Sequence, residues 1–111
     1  MGIAVFRVIK IMTIVVNIRK EKFDIYIGRN KAGVIPNPPD HGCYGNPFNL
    51  KYYTREESLR LYREYFNARI DADHVFRDAI LLLRGKILGC FCKPLDCHGD
   101  VIVEWLNNNQ A

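Results

Sequence analysis

The apolar positions of the chain follow a period of two in some segments and a period near 3.6 in others. Residues 13–17 are β-branched and apolar, and residues 23–27 place Phe23, Ile25 and Ile27 on one face, so both segments are predicted strands. The short connection between them favours an antiparallel pair. Residues 86–92 form a third short, apolar run, which is typical of a central strand.

Two helices are predicted in the middle of the chain. The first begins at Thr54, because Thr54 and Glu57 have the spacing of a capping box. Its apolar face is formed by Leu59, Tyr62 and Phe66. The second begins near Asp71 or Asp73, either of which can act as the N-cap, and ends at Gly85. Its predicted apolar side consists of Val75, Phe76, Ala79, Ile80, Leu82 and Leu83.

A last helix is predicted over residues 98–106, with an inward face of Val101, Ile102, Trp105 and Leu106. Together these elements predict an α/β fold, a single domain with a small mixed sheet of three to four strands and about three helices. We assign residues 13–107 to this domain. Residues 1–12 are interpreted as an N-terminal extension or edge strand, and residues 108–111 as a frayed tail.

Composition and charge narrow the class of partner. The 111 residues are 49% hydrophobic and 25% charged, as in an ordinary globular protein, and the formal net charge is +4. That charge permits a phosphorylated small molecule or a nucleic acid as partner without requiring one, because Lys and Arg form no dense run. The apolar stretches are too short to cross a bilayer, so we expect no membrane partner. Four cysteines without a secretory signal favour reduced thiols and a cytoplasmic location.

The densest candidate chemistry lies in the run Cys-Phe-Cys-Lys-Pro-Leu-Asp-Cys-His-Gly-Asp, which begins at Cys90. Cys90 and Cys92 are two apart on a predicted strand, so their side chains share a face. Cys97 and His98 fall at the start of the last helix, where partial positive charge favours a thiolate or a bound anion. Asp100 could orient His98 or complete the helix cap.

Four interpretations of this run stay open. The first is a metal site, zinc or an iron–sulfur cluster, with Cys90, Cys92, Cys97 and His98 as ligands. The spacing differs from the common C-x2-C pairs, and adjacent residues are awkward ligands for one ion. The second is catalysis by Cys97 as nucleophile, supported by His98 and Asp100. The third is a tight turn in which the cysteines are merely small buried residues. The fourth is an anion or nucleotide site without thiol chemistry.

A long loop, residues 28–48, is interrupted by glycines and prolines, and a loop of this length in a small domain is usually functional or disordered. Glycine allows close backbone approach to a ligand, Arg29 offers a planar fork for a phosphate or carboxylate, and Asn46 offers an amide. The alternative is that Asn46 only forms a turn and Arg29 is a surface charge. The predicted ligand-binding residues are Gly28, Arg29, Gly45, Asn46 and Lys93.

Four motifs cover most of the chain. They are Tyr-Ile-Gly-Arg at 26–29, Gly-Asn-Pro-Phe at 45–48, Thr-Arg-Glu-Glu at 54–57, and a segment at 83–100 that ends in Cys-x-Cys-Lys-Pro-x-x-Cys-His-Gly-Asp. With these motifs the chain, over roughly residues 13–106, resembles the phage and microbial family called domain of unknown function 4326. Phe91 and Tyr44 stand where that family commonly has Trp, and Cys43 lies outside its pattern. The resemblance implies that the two motif regions form one site, and it implies no reaction.

Ligands of α/β sheets gather beyond the carboxyl ends of strands, so the ends near Gly28 and Cys90 would form one pocket if they lie together. We therefore predict a Cys/His/Asp site that binds a nucleotide or another phosphorylated ligand, with a metal or a reactive thiolate. The alternative is a non-catalytic, zinc-stabilised module that binds nucleic acid or protein. In that case bases would stack on Tyr44, Phe48, Tyr52 and Tyr53. The residues do not decide between an enzyme and a binding module.

Overall fold

A computed structural model describes residues 12–28 and 44–109. In these ranges the elements are β1 (Ile14–Asn17), β2 (Ile25–Tyr26), α1 (Arg55–Ala72), α2 (His74–Leu81), β3 (Ile87–Cys90) and α3 (His98–Asn108). The predicted α/β class is confirmed, with three helices and three strands in the described part of the chain. The predicted ligand-binding residue Arg29, together with Cys43 and residues 1–11, lies outside the described residues.

The sheet has the order β1-β3-β2 and is parallel throughout the residues that the structure describes. β3 is central, as predicted. The predicted antiparallel pairing of the first two strands is wrong, because β1 and β2 lie on opposite sides of β3. The described sheet is therefore parallel rather than mixed.

Residues 18–24, which we call the crossover, carry the chain from β1 to β2 over one face of β3. The crossover packs directly on Gly89, where a Cβ atom would lie 2.5 Å from Ile18 Cγ2 and 2.7 Å from Phe23 Cγ. At the far end, the Asp24 carboxylate accepts a 2.7 Å hydrogen bond from the backbone N–H of the first residue of β3. The crossover passes directly over a glycine and needs no helix. It is therefore as short as a hairpin loop, which is why the sequence favours an antiparallel pair.

Capping residues set the helix starts as predicted. The Thr54 hydroxyl accepts a hydrogen bond from Glu57 N at 3.1 Å, and the Glu57 side chain returns to Thr54 N at 3.4 Å. Asp73, one of the two predicted candidates, is the N-cap of α2 and accepts from two backbone N–H groups, each at 3.1 Å. Gly85 adopts a left-handed φ of 76° in the turn after α2.

The apolar side of α2 is narrower than predicted. Phe76 and Ile80 are buried, whereas Val75 and Leu82 are 78% and 75% exposed. Val75 and Leu82 are seven residues apart, which is two helical turns, so they share an outward face. The prediction that the apolar residues of this segment face inward is therefore wrong for Val75 and Leu82.

The helices cover the face of the sheet opposite the crossover. Leu88 and Cys90 point from β3 into a common core, whose fully buried members include Tyr62, Phe66, Phe76, Ile80, Leu83, Ile102 and Leu106. α3 packs closely on the sheet at Gly99, where a Cβ atom would lie 2.7 Å from Ile27 Cδ1. None of the described helices is long and apolar enough to cross a bilayer.

Candidate functional site

A cleft of about 240 Å³ lies at the carboxyl ends of β2 and β3, and we call it the strand-end cleft. The strand ends contribute Tyr26, Gly28, Cys90 and Cys92, and the start of α3 contributes Cys97 and His98. Residues of α1 and of the segment before it complete the wall, including Asn46, Phe48, Arg55 and Ser58. The cleft thus brings together residues from both regions that the sequence singled out.

Three thiols form a chain on the floor of the cleft. The sulfur atoms of Cys90 and Cys97 are 3.4 Å apart, and Cys92 contributes the third thiol of the cleft lining. The hydrogen bond from Cys90 lowers the pKa of the Cys97 thiol, although burial opposes this. The bond with Cys90, together with burial, raises the pKa of Cys92. For Cys90, the bond from Cys92 lowers the pKa, but the bond to Cys97 and burial outweigh it, so the net direction is upward. Cys97 is therefore the most acidic of the three thiols.

The start of α3 is fixed by Asp100. One carboxylate oxygen of Asp100 accepts a 3.0 Å hydrogen bond from Cys97 N, and the other forms an ion pair with Lys93 Nζ. Burial lowers the pKa of Lys93, but the bond from its ammonium to Asp100 outweighs this and the pKa is raised. Asp100 thus completes the helix cap, which is one of its two predicted roles. Lys93, whose peptide bond to Pro94 is cis, lies outside the residues described as lining the cleft.

His98 connects α3 to the end of β2. Its Nε2 lies 2.7 Å from the carbonyl oxygen of Ile27, and because a carbonyl can only accept, Nε2–H is the donor. The ring is 7% exposed and packs edge-on against Tyr62, with centroids 5.2 Å apart. With this bond in place, Nε2 is neither a metal ligand nor a proton acceptor. Within residues 12–28 and 44–109, no group of three or more Cys, His, Asp or Glu side chains is arranged to hold a metal ion.

Asn46 is held by the protein at both ends of its amide. Its Nδ2 donates to Ser58 Oγ at 2.8 Å, and its Oδ1 accepts from Phe48 N at 2.9 Å. Ser58 is fully buried and donates in turn to the Phe48 carbonyl oxygen at 2.6 Å. These bonds attach residues 45–48, the loop before α1, to the helix. Asn46 also lines the cleft, and its predicted contact with a ligand stays a prediction.

Gly28 has a steric role beside the cleft. A Cβ atom at this position would collide with the ring of Tyr26, which is 7% exposed. The Tyr26 ring in turn packs edge-on against Phe91, with centroids 5.9 Å apart. The glycine therefore leaves room for the aromatic wall of the cleft.

Arg55 was not predicted as a site residue, although it belongs to the Thr-Arg-Glu-Glu motif at the start of α1. Arg55 is the first residue of α1, lines the cleft, and donates from Nη1 to the Asp96 carbonyl oxygen at 2.8 Å. Its positive charge also acts against the rise in the pKa of the Cys92 thiol. The signal for Arg55 is that it is a charged residue in the first turn of a helix that faces a strand end.

Comparison with known proteins agrees with the resemblance seen in the motifs. Residues 16–108 match a family model described as Domain of unknown function (DUF4326). The chain is 33% identical over 93 residues to the uncharacterised 12.4 kDa protein of the nrdA-td intergenic region of Enterobacteria phage T4, a match that covers 84% of this chain and 76% of that protein. No solved structure matches the chain. The chain therefore belongs to the DUF4326 family.

Proposed function

We propose that the strand-end cleft binds a nucleotide or another phosphorylated small molecule. The observation that carries the proposal is the presence of a guanidinium, from Arg55, in a cleft with aromatic walls at the carboxyl edge of a parallel sheet. Ligands of open α/β sheets bind at this edge. Arg is suited to phosphate because its planar fork matches the oxygen geometry.

The aromatic residues give the cleft an apolar part. Tyr26, Phe48 and Phe91 line it, and the Tyr26 and Phe48 rings are held by edge contacts, to Phe91 at 5.9 Å and to Tyr53 at 5.8 Å. Pockets of this kind bind a flat or apolar group on their walls and orient it by a few polar groups. The volume of about 240 Å³ favours a ligand of mononucleotide size or smaller over a dinucleotide.

Arg55 supplies the charge for the anionic end of the ligand. A guanidinium has five N–H donors, and the carbonyl oxygen of Asp96 takes one of them. Lys93 is a weaker candidate, because its ammonium is paired with Asp100. The cation that matters most for binding is therefore Arg55.

The proposal is tested by thermal shift and calorimetry with nucleoside monophosphates, the matching nucleosides and inorganic phosphate. We expect monophosphates to raise the melting temperature, since a ligand at 100 times its Kd stabilises the folded state by about 2.7 kcal/mol. Arg55→Ala should weaken binding at least about tenfold, because it removes a charge-assisted hydrogen bond. Arg60→Ala is the matched control, an exposed arginine of α1 that pairs with Glu64. Equal binding by both variants, or no shift with any of these ligands at millimolar concentration, would overturn the proposal.

A second candidate function is binding of single-stranded nucleic acid. Tyr52 is 75% exposed, and Lys51 Nζ lies 5.8 Å from the centre of its ring, a pairing suited to stacking on a base near a phosphate. Tyr44 is a poor platform, because it is buried and its carbonyl oxygen accepts from the Tyr62 hydroxyl at 3.1 Å. Salt-sensitive binding of a short oligonucleotide that is lost in Tyr52→Ala would favour this candidate.

A further inference from the structure

We propose that Cys90 and Cys97 form a dithiol–disulfide couple, in which Cys97 reacts with a small hydroperoxide and Cys90 closes the disulfide. This activity is separate from ligand binding, and it would stand if the cleft bound no nucleotide. The observation that carries it is the distance of 3.4 Å between the two sulfur atoms.

The two cysteines lie on elements that are fixed relative to each other. Cys90 is the last residue of β3, and Cys97 is the N-cap of α3. A disulfide bond is about 2.05 Å long, so each sulfur must move by only about 0.7 Å, which a small side-chain rotation provides. The His98–Ile27 hydrogen bond holds the start of α3 against the sheet and preserves this closeness.

A small oxidant can reach the pair through the strand-end cleft. Both side chains are almost fully buried, at 1% and 2% exposure, but both line the cleft. A molecule of the size of hydrogen peroxide fits this space, whereas a folded protein does not. The couple is therefore selective for small oxidants.

Geometry also assigns the order of attack. Cys97 lies at the N-terminus of α3, where the helix dipole favours a thiolate, and the Cys90 sulfur lies 3.4 Å from the Cys97 sulfur. Cys97 is thus the attacking sulfur and Cys90 the resolving one.

The chemistry balances with hydrogen peroxide as the oxidant. The Cys97 thiolate attacks one peroxide oxygen, so that an S–O bond forms, the O–O bond breaks, hydroxide leaves from the peroxide, and Cys97 becomes a sulfenic acid. The Cys90 sulfur then attacks the Cys97 sulfur, the S–S bond forms, the S–O bond breaks, and the departing oxygen leaves as water with the Cys90 proton. The hydroxide from the first step takes up the proton that Cys97 gave up on becoming a thiolate. Two thiols therefore lose two electrons and two protons in total, and the peroxide is reduced to two molecules of water.

The decisive measurement is a disulfide map of the reduced chain after treatment with one equivalent of hydrogen peroxide and alkylation of the remaining thiols. Chymotryptic cleavage after Phe91 and Leu95 separates Cys90, Cys92 and Cys97 into different peptides. We expect one intramolecular bond between Cys90 and Cys97 and a mass lower by two hydrogen atoms. A bond to Cys92 or Cys43, or oxidation without any disulfide, would overturn the proposal.

Variants test the assigned roles. In Cys97→Ser, peroxide should oxidise the remaining thiols at least about tenfold more slowly than in the unchanged chain, since the reactive thiolate is gone. In Cys90→Ser, the first step, the reaction of Cys97 with peroxide, should have the same rate as in the unchanged chain. A sulfenic acid should then accumulate at Cys97, where dimedone traps it. Cys43→Ser, which removes the cysteine outside the Cys90–Asp100 run, is the matched control and should form the disulfide. A Cys97→Ser variant that reacts as fast as Cys43→Ser would refute the assignment, and the disulfide map of the unchanged chain decides the pairing even if a variant fails to fold.

Discussion

Ser58 is the side chain that attaches the loop of residues 45–48 to α1, and its replacement by alanine should loosen one wall of the cleft. The hydroxyl is fully buried, donates to the Phe48 carbonyl oxygen at 2.6 Å and accepts from Asn46 Nδ2 at 2.8 Å. Alanine keeps the Cβ atom, so Ser58→Ala removes both bonds without introducing a clash.

The size of the effect follows from these two bonds. A hydrogen bond contributes about 1 kcal/mol net, and a buried partner left unpaired adds a desolvation penalty, so Ser58→Ala should lower the free energy of unfolding by about 2–3 kcal/mol. For a domain of this size that corresponds to a fall in melting temperature of roughly 10 °C.

Urea denaturation followed by circular dichroism measures the loss. Asn67→Ala is the matched control, an exposed polar residue of the same helix whose replacement should change the free energy of unfolding by no more than about 0.5 kcal/mol. In a double-mutant cycle, Ser58→Ala and Asn46→Ala should be non-additive by about 1 kcal/mol, because they share a bond. If Ser58→Ala behaves like Asn67→Ala, or if the cycle is additive, the loop is not held in the way that we describe.

Three further predictions concern the sheet, a helix cap and the thiols. Gly89→Ala should lower the free energy of unfolding by about 1–3 kcal/mol in thermal denaturation, because its Cβ would overlap the crossover, and an unchanged stability would contradict that packing. Thr54→Ala should lower it by about 1 kcal/mol, whereas Thr54→Ser should retain most of the cap, and equal losses would argue against the capping box. The alkylation of Cys97 by iodoacetamide, followed by peptide mass spectrometry, should persist to lower pH than that of Cys92, because a lowered pKa leaves more thiolate at a given pH and a raised pKa leaves less. A rate for Cys92 that persists to lower pH than the rate for Cys97 would reverse the order of the two pKa values.

Local signals explain what the sequence predicted correctly. Thr54 and Asp73 are caps, and a cap acts on backbone groups within three residues of itself, so its effect can be read from adjacent positions. The last helix was likewise predicted from nearby positions, because Val101, Ile102, Trp105 and Leu106 have helical spacing. The juxtaposition of the strand ends at Gly28 and Cys90 was anticipated from a rule about α/β sheets.

Non-local packing explains what the sequence did not predict. Strand direction depends on which partner a strand finds, and nothing within residues 13–27 specifies that β1 and β2 pair with β3 rather than with each other. The exposure of Val75 depends likewise on how far the neighbouring elements extend over α2. The bond between Asn46 and Ser58 joins a loop to a helix, and neither residue alone indicates it.

The order β1-β3-β2 has a consequence for how the chain folds during synthesis. The described partner of both early strands is β3, whose paired residues come more than 60 positions later in the chain. The described sheet therefore cannot assemble until β3 has left the ribosome, while α1 and α2, which are joined through one capping residue, can form beforehand. Until then, β1 and β2 lack the strand with which they pair in the described part of the chain, and that strand arrives in the same segment as the thiols of the cleft.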